Sequence, residues 1–293
     1  MNDWDDFRFF LAVARSGSVT AASTVLGVNH STVSRRIAGM EKRHGVRLFE
    51  RLISGYEMTL AAENIYTLAI EIEAKNHEMQ RQLFAQDSRL QGVINITLPH
   101  DLANYCVLPH FKAFTDQHPQ ISVNFIVSPG LKDLNAREAD IAVRLTPKPP
   151  ENLVGKKLAK LRHGVYQSKL YQIKPGKPVD VVLWKHETTA PKWVLEHFPD
   201  YRVVLRVDDM ASKYAAIKAG YGLARLPCYL PDTKKHNSIK RLKLDLAKSD
   251  WGLWVLSHAD LRQTARIKAC KEFLHDVLNK QIPVIEGDRS RYD

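Results

Sequence analysis

From Asn29 to Arg36 the chain runs His30, Ser31, Thr32, Val33, Ser34 and Arg35, short hydrogen-bonding side chains that end in two guanidinium groups. Groups of this kind break no bonds; they donate and accept at fixed edges and pair with anions. With Val33, Ile37 and Met40 at i, i+4 and i+7, the spacing predicts a helix whose apolar stripe faces a core. The opposite side then carries Ser31 and Arg35, flanked by Thr32 and Ser34, and Ala38 and Gly39 keep it slim. A slim polar face with one Arg suits entry into the major groove of DNA, where hydroxyls and guanidinium read base edges. Between Arg35 and Arg51 six basic residues face only Glu41 and Glu50, a local excess of four charges placed to hold phosphates on either side.

Whole-chain charge does not carry that argument. The chain of 293 residues has a net charge of +11, yet residues 1–90 hold 11 basic and 11 acidic side chains, so the whole surplus follows residue 90. The local pattern must make the case. A length of 293 residues with 44% hydrophobic and 26% charged side chains suits about two globular domains.

The reading helix needs neighbours to aim it. A first helix is predicted from Asp3 to Arg15, with Trp4, Phe7, Phe10, Leu11 and Ala14 at helical spacing. Ser18 caps a second, with Ala21, Ala22, Val25 and Leu26 as its apolar face and Gly27 as a left-handed stop. Asn29 is placed to cap the third. Gly45 to Phe49 leaves that helix, and Ser54-Gly55 makes a hairpin tip, so a short wing follows. Thr59 then caps a long helix, Leu60 to Asp87, in which Ile65, Ile72 and Met79 recur every seven residues. That seam either pairs with a second copy or lies on its own domain; a dimer would set two reading helices one turn of DNA apart.

After Arg89 the pattern alternates. Val93–Leu98, Ile121–Ile126 and Asp140–Arg144 read as strands, with helices at Leu102–Gln117 and near Gly130–Arg137. Val203–Val207, Leu223–Leu226 and Trp251–Ser257 read as further strands, with a helix at Met210–Ala219 and a closing helix at Thr264–Asn279 that returns to the first half. The order implies two α/β halves with mostly parallel sheets.

Several function classes are disfavoured. No nucleophile elbow, phosphate-binding loop, dinucleotide fingerprint or H-E-x-x-H pair occurs. Cys106, Cys228 and Cys270 are odd in number and far apart, so neither a disulfide framework nor a metal site is expected, and no cofactor is called for. The acidic start Met1–Asp6 lacks a secretory pattern, and no run is long and apolar enough for a membrane span. A cytoplasmic protein is the expectation.

Three stretches, Gly17–Ala22, Val28–Ile37 and Gly45–Arg51, stand in an order and spacing that resemble the LysR-type transcriptional regulators. The similarity extends through Asp140–Arg144 and Ala219–Pro227. It implies an α/β protein with an N-terminal all-α winged helix-turn-helix domain and a sensor built like a two-subdomain periplasmic binding protein. The implied domains are residues 1–59 for DNA binding, 60–89 for a dimerisation helix and 90–293 for effector binding, with one subdomain at about 90–164 plus 258–293 and the other at 165–257. The implied DNA-binding set is Ser18, Thr20, His30, Ser31, Thr32, Ser34, Arg35, Arg36 and Arg51.

His30 stands where the family often has Gln, and it can meet either a base edge or a phosphate. Ser54 replaces a usual basic residue of the wing, and Ala62 a customary Gly. The implied effector cleft is lined by Pro99, His100, Ser128, Arg144, Asp208 and Pro227. His100 and Arg144 would suit an anionic metabolite, unless Arg144 pairs Asp140 or Glu138 and Lys156, Lys157 and Lys160 form a solvated face. Promoter DNA, a small-molecule effector, further copies in a homodimer or homotetramer and, for an activator, RNA polymerase are the expected partners. An architectural DNA-binding protein without ligand response is the alternative.

Overall fold

The structure is a computed structural model that describes residues 4–52, 55–84, 89–127, 139–151, 153–232 and 238–288, with the side chains of 80–84 left aside. The chain divides into two compact units, Met1–Leu83 and Phe84–Asp293. The long helix expected as a separate segment therefore belongs largely to the first unit.

In the first unit α1 (Trp4–Ser16), α2 (Val19–Leu26) and α3 (His30–His44) precede the hairpin β1 (Phe49–Leu52) and β2 (Gly55–Met58), and α4 (Leu60–Phe84) follows. One core joins them: Phe9, Phe10 and Val13 of α1, Ala22 of α2, Val33, Ile37 and Met40 of α3, Phe49 of the hairpin, and Ala62 and Ala69 of α4. Burying these faces offsets the cost of ordering helices too short to hold alone. Ser18 caps α2 by accepting from the Ala21 amide at 3.4 Å, and Gly27 ends it in the left-handed region at φ 66°. Asn29 sits at the start of α3 with extended backbone, but its side chain makes no cap bond, which corrects the expectation.

The second unit holds, among the described residues, two five-stranded sheets. The first, in the order β4-β3-β5-β12-β6, is built from β3 (Gly92–Leu98), β4 (Ile121–Val127), β5 (Ile141–Thr146), β6 (Leu153–Lys160) and β12 (Gly252–His258). Strands β3, β4 and β5 are parallel, whereas β12 runs antiparallel between β5 and β6. A short helix α5 (His100–Leu102), a π-helical turn (Ala103–Val107) and α6 (Leu108–Gln117) link β3 to β4. The helix expected near Gly130–Arg137 lies outside the described residues.

The second sheet, ordered β11-β7-β10-β8-β9, comprises β7 (His163–Ser168), β8 (Val179–Trp184), β9 (Tyr201–Val207), β10 (Leu223–Pro227) and β11 (Ile239–Arg241). Helix α7 (Lys192–His197) packs one face through Trp193 and Val194, while α8 (Met210–Lys218) packs the other through Tyr214, Ala216 and Ile217. A short α9 (Tyr229–Asp232) follows β10, and α10 (Ala265–Asn279) and α11 (Ile282–Ile285) close the chain. Ile267, Cys270, Leu274 and Leu278 of α10 join the core that holds Ile94 and Ile96 of the first sheet.

One boundary needs correction. Residues 252–257 were expected in the second half, yet β12 pairs residue for residue with β5, from Gly252 opposite Thr146 to Ser257 opposite Ile141. Its nearly continuous burial cannot reveal which sheet buries it.

Candidate nucleic-acid interface and ligand cleft

Helix α3 turns Val33, Ile37 and Met40 inward, each under 5% exposed, and leaves His30, Ser31 and Arg35 exposed on the far side with Thr32 and Ser34 partly so. Among the described residues Arg35 forms no ion pair. Its neighbour Arg36 behaves otherwise: it donates to Asp6 at 3.2 Å and Asp5 at 3.3 Å, and lies over the Phe9 ring at 5.7 Å. Arg43 also donates to Asp6. Asp6, 4% exposed, thus ties α3 to α1, and the charge of Arg36, expected on DNA, is also paired inside the unit. Thr20 is exposed on α2, while the Ser18 hydroxyl is used as the cap.

The hairpin is held by its own bonds. Glu41 accepts from the Leu48 and Phe49 amides at 2.8 and 3.2 Å, so this carboxylate positions β1. Tyr56 donates from its backbone to Gly17 at 2.8 Å. At Gly55, where φ is 133°, a side chain would meet the Gly17 carbonyl at 2.5 Å, so only glycine allows the hairpin this close to the turn before α2. Arg51 lies exposed over the Tyr56 ring at 5.5 Å. Ser54 lies outside the described residues.

The seam on α4 splits. Ile65 packs partly buried against the unit's own core. Ile72 and Met79 stay 44% and 58% exposed, and Leu68, on the same stripe, is 57% exposed. An apolar stripe this bare on a helix is the usual mark of a partner helix.

In the second unit Pro99 and exposed His100 follow β3, and exposed Asp208 follows β9. Asp209, beside Asp208, caps α8 by accepting from the Ser212 amide at 2.8 Å, and its carboxyl is held down chiefly by that bond. Tyr229 donates to Asp101, and the rings of Tyr105 and Tyr214 meet at 6.2 Å, which joins the two sheets' helices below. Arg144 is 2% exposed and donates to Thr97 Oγ1 at 2.6 Å, within its own sheet. Pro227 is buried opposite His163, and Ser128 lies outside the described residues.

Three further basic residues belong to the second sheet and its helices: Lys213 on α8, Arg225 within β10 and His163 at the start of β7. Lys213, one turn into α8 from Asp209, is 2% exposed, with its ammonium 4.2 Å from the Trp184 ring centroid. Burial, with Arg225 nearby, holds its pKa down to about 8 against a pull upward from Glu187. Arg225 on β10 is likewise pushed down by burial. His163 on β7 is pushed down to about 4 by burial and by the charges of Arg225 and Lys213. Among the described residues the buried Arg225 Nε and His163 Nδ1 have no hydrogen-bond partner.

Residues 4–63 match the model of the bacterial regulatory helix-turn-helix protein, lysR family, and residues 87–279 match that of the LysR substrate binding domain. The chain belongs to the LysR family of transcriptional regulators. An HTH-type transcriptional regulator from Xanthomonas campestris pv. campestris is 30% identical over 239 residues, 76% of this chain and 70% of that protein. The virulence activator AphB from Vibrio cholerae shares the fold at a TM-score of 0.59 and 20% identity, covering 93% of this chain and 98% of AphB. Full-length CbnR in complex with its target DNA does so at 0.55 and 18% identity, covering 94% and 100%. As a LysR-type regulator the chain is a DNA-binding protein with a substrate-binding domain, and its curated relatives are named as transcriptional regulators.

For this LysR-type chain the motif stretches were legible and the basic cluster was not. Lys213, Arg225 and His163 sit on three elements up to 62 residues apart, and each alone reads as an ordinary surface charge. A Lys between Ser212 and Tyr214 inside a predicted helix was the one available signal. Lys156, Lys157 and Lys160 are exposed on the edge strand β6, the solvated reading. Among the described residues no helix is long and apolar enough to cross a membrane, and no His, Cys, Asp and Glu group could hold a metal.

Proposed function

We propose that this regulator reads its operator through Ser31, Arg35 and His30 of α3, with Thr20, Thr32, Ser34 and Arg51 at the flanks. The exposed polar face of α3, set opposite Val33, Ile37 and Met40, is the observation that carries the reading. The bare stripe of Leu68, Ile72 and Met79 supports pairing of two copies, so that two such faces meet successive turns of DNA. CbnR, solved with its target DNA, is a relative of the same fold.

A small-molecule effector in the cleft near Pro99, His100 and Asp208 would prefer one arrangement of the second unit and shift operator contact with it. The protein then works where promoter DNA is, in the cytoplasm, as a homodimer or homotetramer, and contacts RNA polymerase if it activates. Catalysis plays no part in this reading.

Electrophoretic shift with fragments of the gene's own promoter region is the test. Competition by specific fragments at a salt concentration that removes nonspecific binding is expected. Equal affinity for every fragment would replace this reading with an architectural one.

A further inference from the structure

The positive charge of this chain does not lie where the helix-turn-helix does. Residues 1–90 are neutral overall, with 11 basic and 11 acidic side chains. Several cations there are also answered inside the unit: Arg36 and Arg43 by Asp6, and Arg15 by Glu73 at 2.6 Å. The surplus lies in two segments of the second unit. Residues 152–179 hold seven Lys and Arg and no Asp or Glu, and residues 233–249 hold six against Asp245 alone, which accounts for the whole net charge of +11.

The fold lays these segments side by side. Strand β6, an edge of the first sheet, runs through Arg162 into β7, on which β11, an edge of the second sheet, pairs with Lys240 opposite Gln167. At one end of that pair the Lys169 amide donates to Ser238 at 2.8 Å. At the other, a side chain at Gly287 would meet Arg162 Cγ at 2.9 Å and Arg241 Nη1 at 3.2 Å, so the two arginines border one point. Cations thus follow one another from Lys169 past Lys240 to Arg162, and on to β6. There Lys156 pairs Val255 and Lys157 pairs Trp254, so their stems leave opposite faces and the open edge is what both ammonium groups share.

Lysines on an edge strand guard it against pairing with another chain, which accounts for β6 alone. Lys169, Lys174 and Lys177 lie beyond β7, and no carboxylate intervenes between them and β6. Ordinary solvated surfaces intersperse both signs. Elsewhere this chain does so: Lys75, Lys112 and Lys148 each pair a carboxylate three or four residues away. Lys156, Lys157, Lys160, Lys169, Lys174 and Lys177 are exposed and form no ion pair among the described residues. A surface of one sign, rich in Lys, fits nucleic acid better than protein, because protein interfaces are depleted in Lys.

We propose that the flank formed by β6, the β7–β8 connection and β11 binds backbone phosphates of double-stranded DNA, a DNA contact carried by the second unit itself. It adds affinity without sequence preference, since phosphates neutralised by Lys release counterions whatever the bases. The reading of bases by α3 stands or falls apart from it.

Fluorescence anisotropy of the full chain on a labelled duplex of random sequence, about 30 base pairs long, in KCl from about 50 to 200 mM tests it. K156Q/K157Q/K160Q and K169Q/K174Q/K177Q should each lower the slope of log affinity against log salt by about two, and weaken binding about tenfold or more at the lower salt. Melting temperatures should hold, because all six side chains are exposed, and so should any preference for promoter DNA over the random duplex. K75Q/K112Q/K148Q removes the same charge elsewhere and should change the slope by less than about one. An equal loss in that control would show net charge alone at work and overturn the site. An unchanged slope in both folded flank variants would overturn it too, and turn the flank toward an acidic protein.

Discussion

Two groups of buried or half-buried cations in this chain resemble each other in composition and differ in what answers them. In the first unit Arg36 and Arg43 converge on Asp6, with Asp5 beside it. In the second, Lys213 and Arg225 share Glu187, and neighbouring polar atoms lack partners. The first arrangement is closed and holds α1 to α3. The second is less fully answered, with Arg225 Nε and His163 Nδ1 lacking partners among the described residues. Cations answered by acids of the same chain hold a fold, whereas unanswered ones mark a place for a partner, and Arg35 belongs with the second kind.

The sharpest way to break this contrast is at Asp6. Asp6→Ala leaves two guanidinium groups with a single acid, and since both are partly exposed the loss should be about 3 kcal/mol, at the low end for broken buried pairs. Thermal unfolding of the first unit should fall accordingly. An unchanged midpoint would mean that the closed group holds nothing.

Next in size is the pair Arg35 and Arg36, neighbours in sequence with opposite assignments. Arg35→Ala should lower specific operator affinity by about 2 kcal/mol, roughly thirtyfold, and leave the melting temperature alone. Arg36→Ala should lower the melting temperature instead. If Arg35→Ala melts early and retains full operator affinity, α3 has been turned the wrong way.

That pair also marks how far the sequence could be read. The periodicity of Val33, Ile37 and Met40 and the caps around α2 are local signals, carried by residues within a turn or two, so the reading helix was legible. Whether a cation on it is answered depends on Asp6, 30 residues from Arg36 and 37 from Arg43, and no local pattern encodes that pairing. The same limit hid Lys213, Arg225 and His163. Strand β6 was missed because Lys156, Lys157 and Lys160 make an edge strand look like a loop, and β12 was placed in the wrong sheet because a buried strand carries no mark of its neighbours.

In the open group the sign of the stability change should reverse. Lys213→Met removes a desolvated charge while filling its stem's volume, so the ligand-free protein should gain about 1 kcal/mol. Loss of stability in the ligand-free variant would show Lys213 to be a structural cation like Arg36.

The smallest effect, and the most discriminating, is its pH dependence. Lys213 has its pKa held down to about 8 in the folded state against 10.5 when free, so between these values the unfolded chain binds more protons. Stability must then rise with pH across that window, by the linkage of proton binding to folding. His163, held down to about 4 from 6.5, adds a rise across the lower window, from pH 4 to 6.5. Lys213→Met should flatten the upper rise and also reduce the lower one, because the Lys213 charge is one of the causes that hold His163 down.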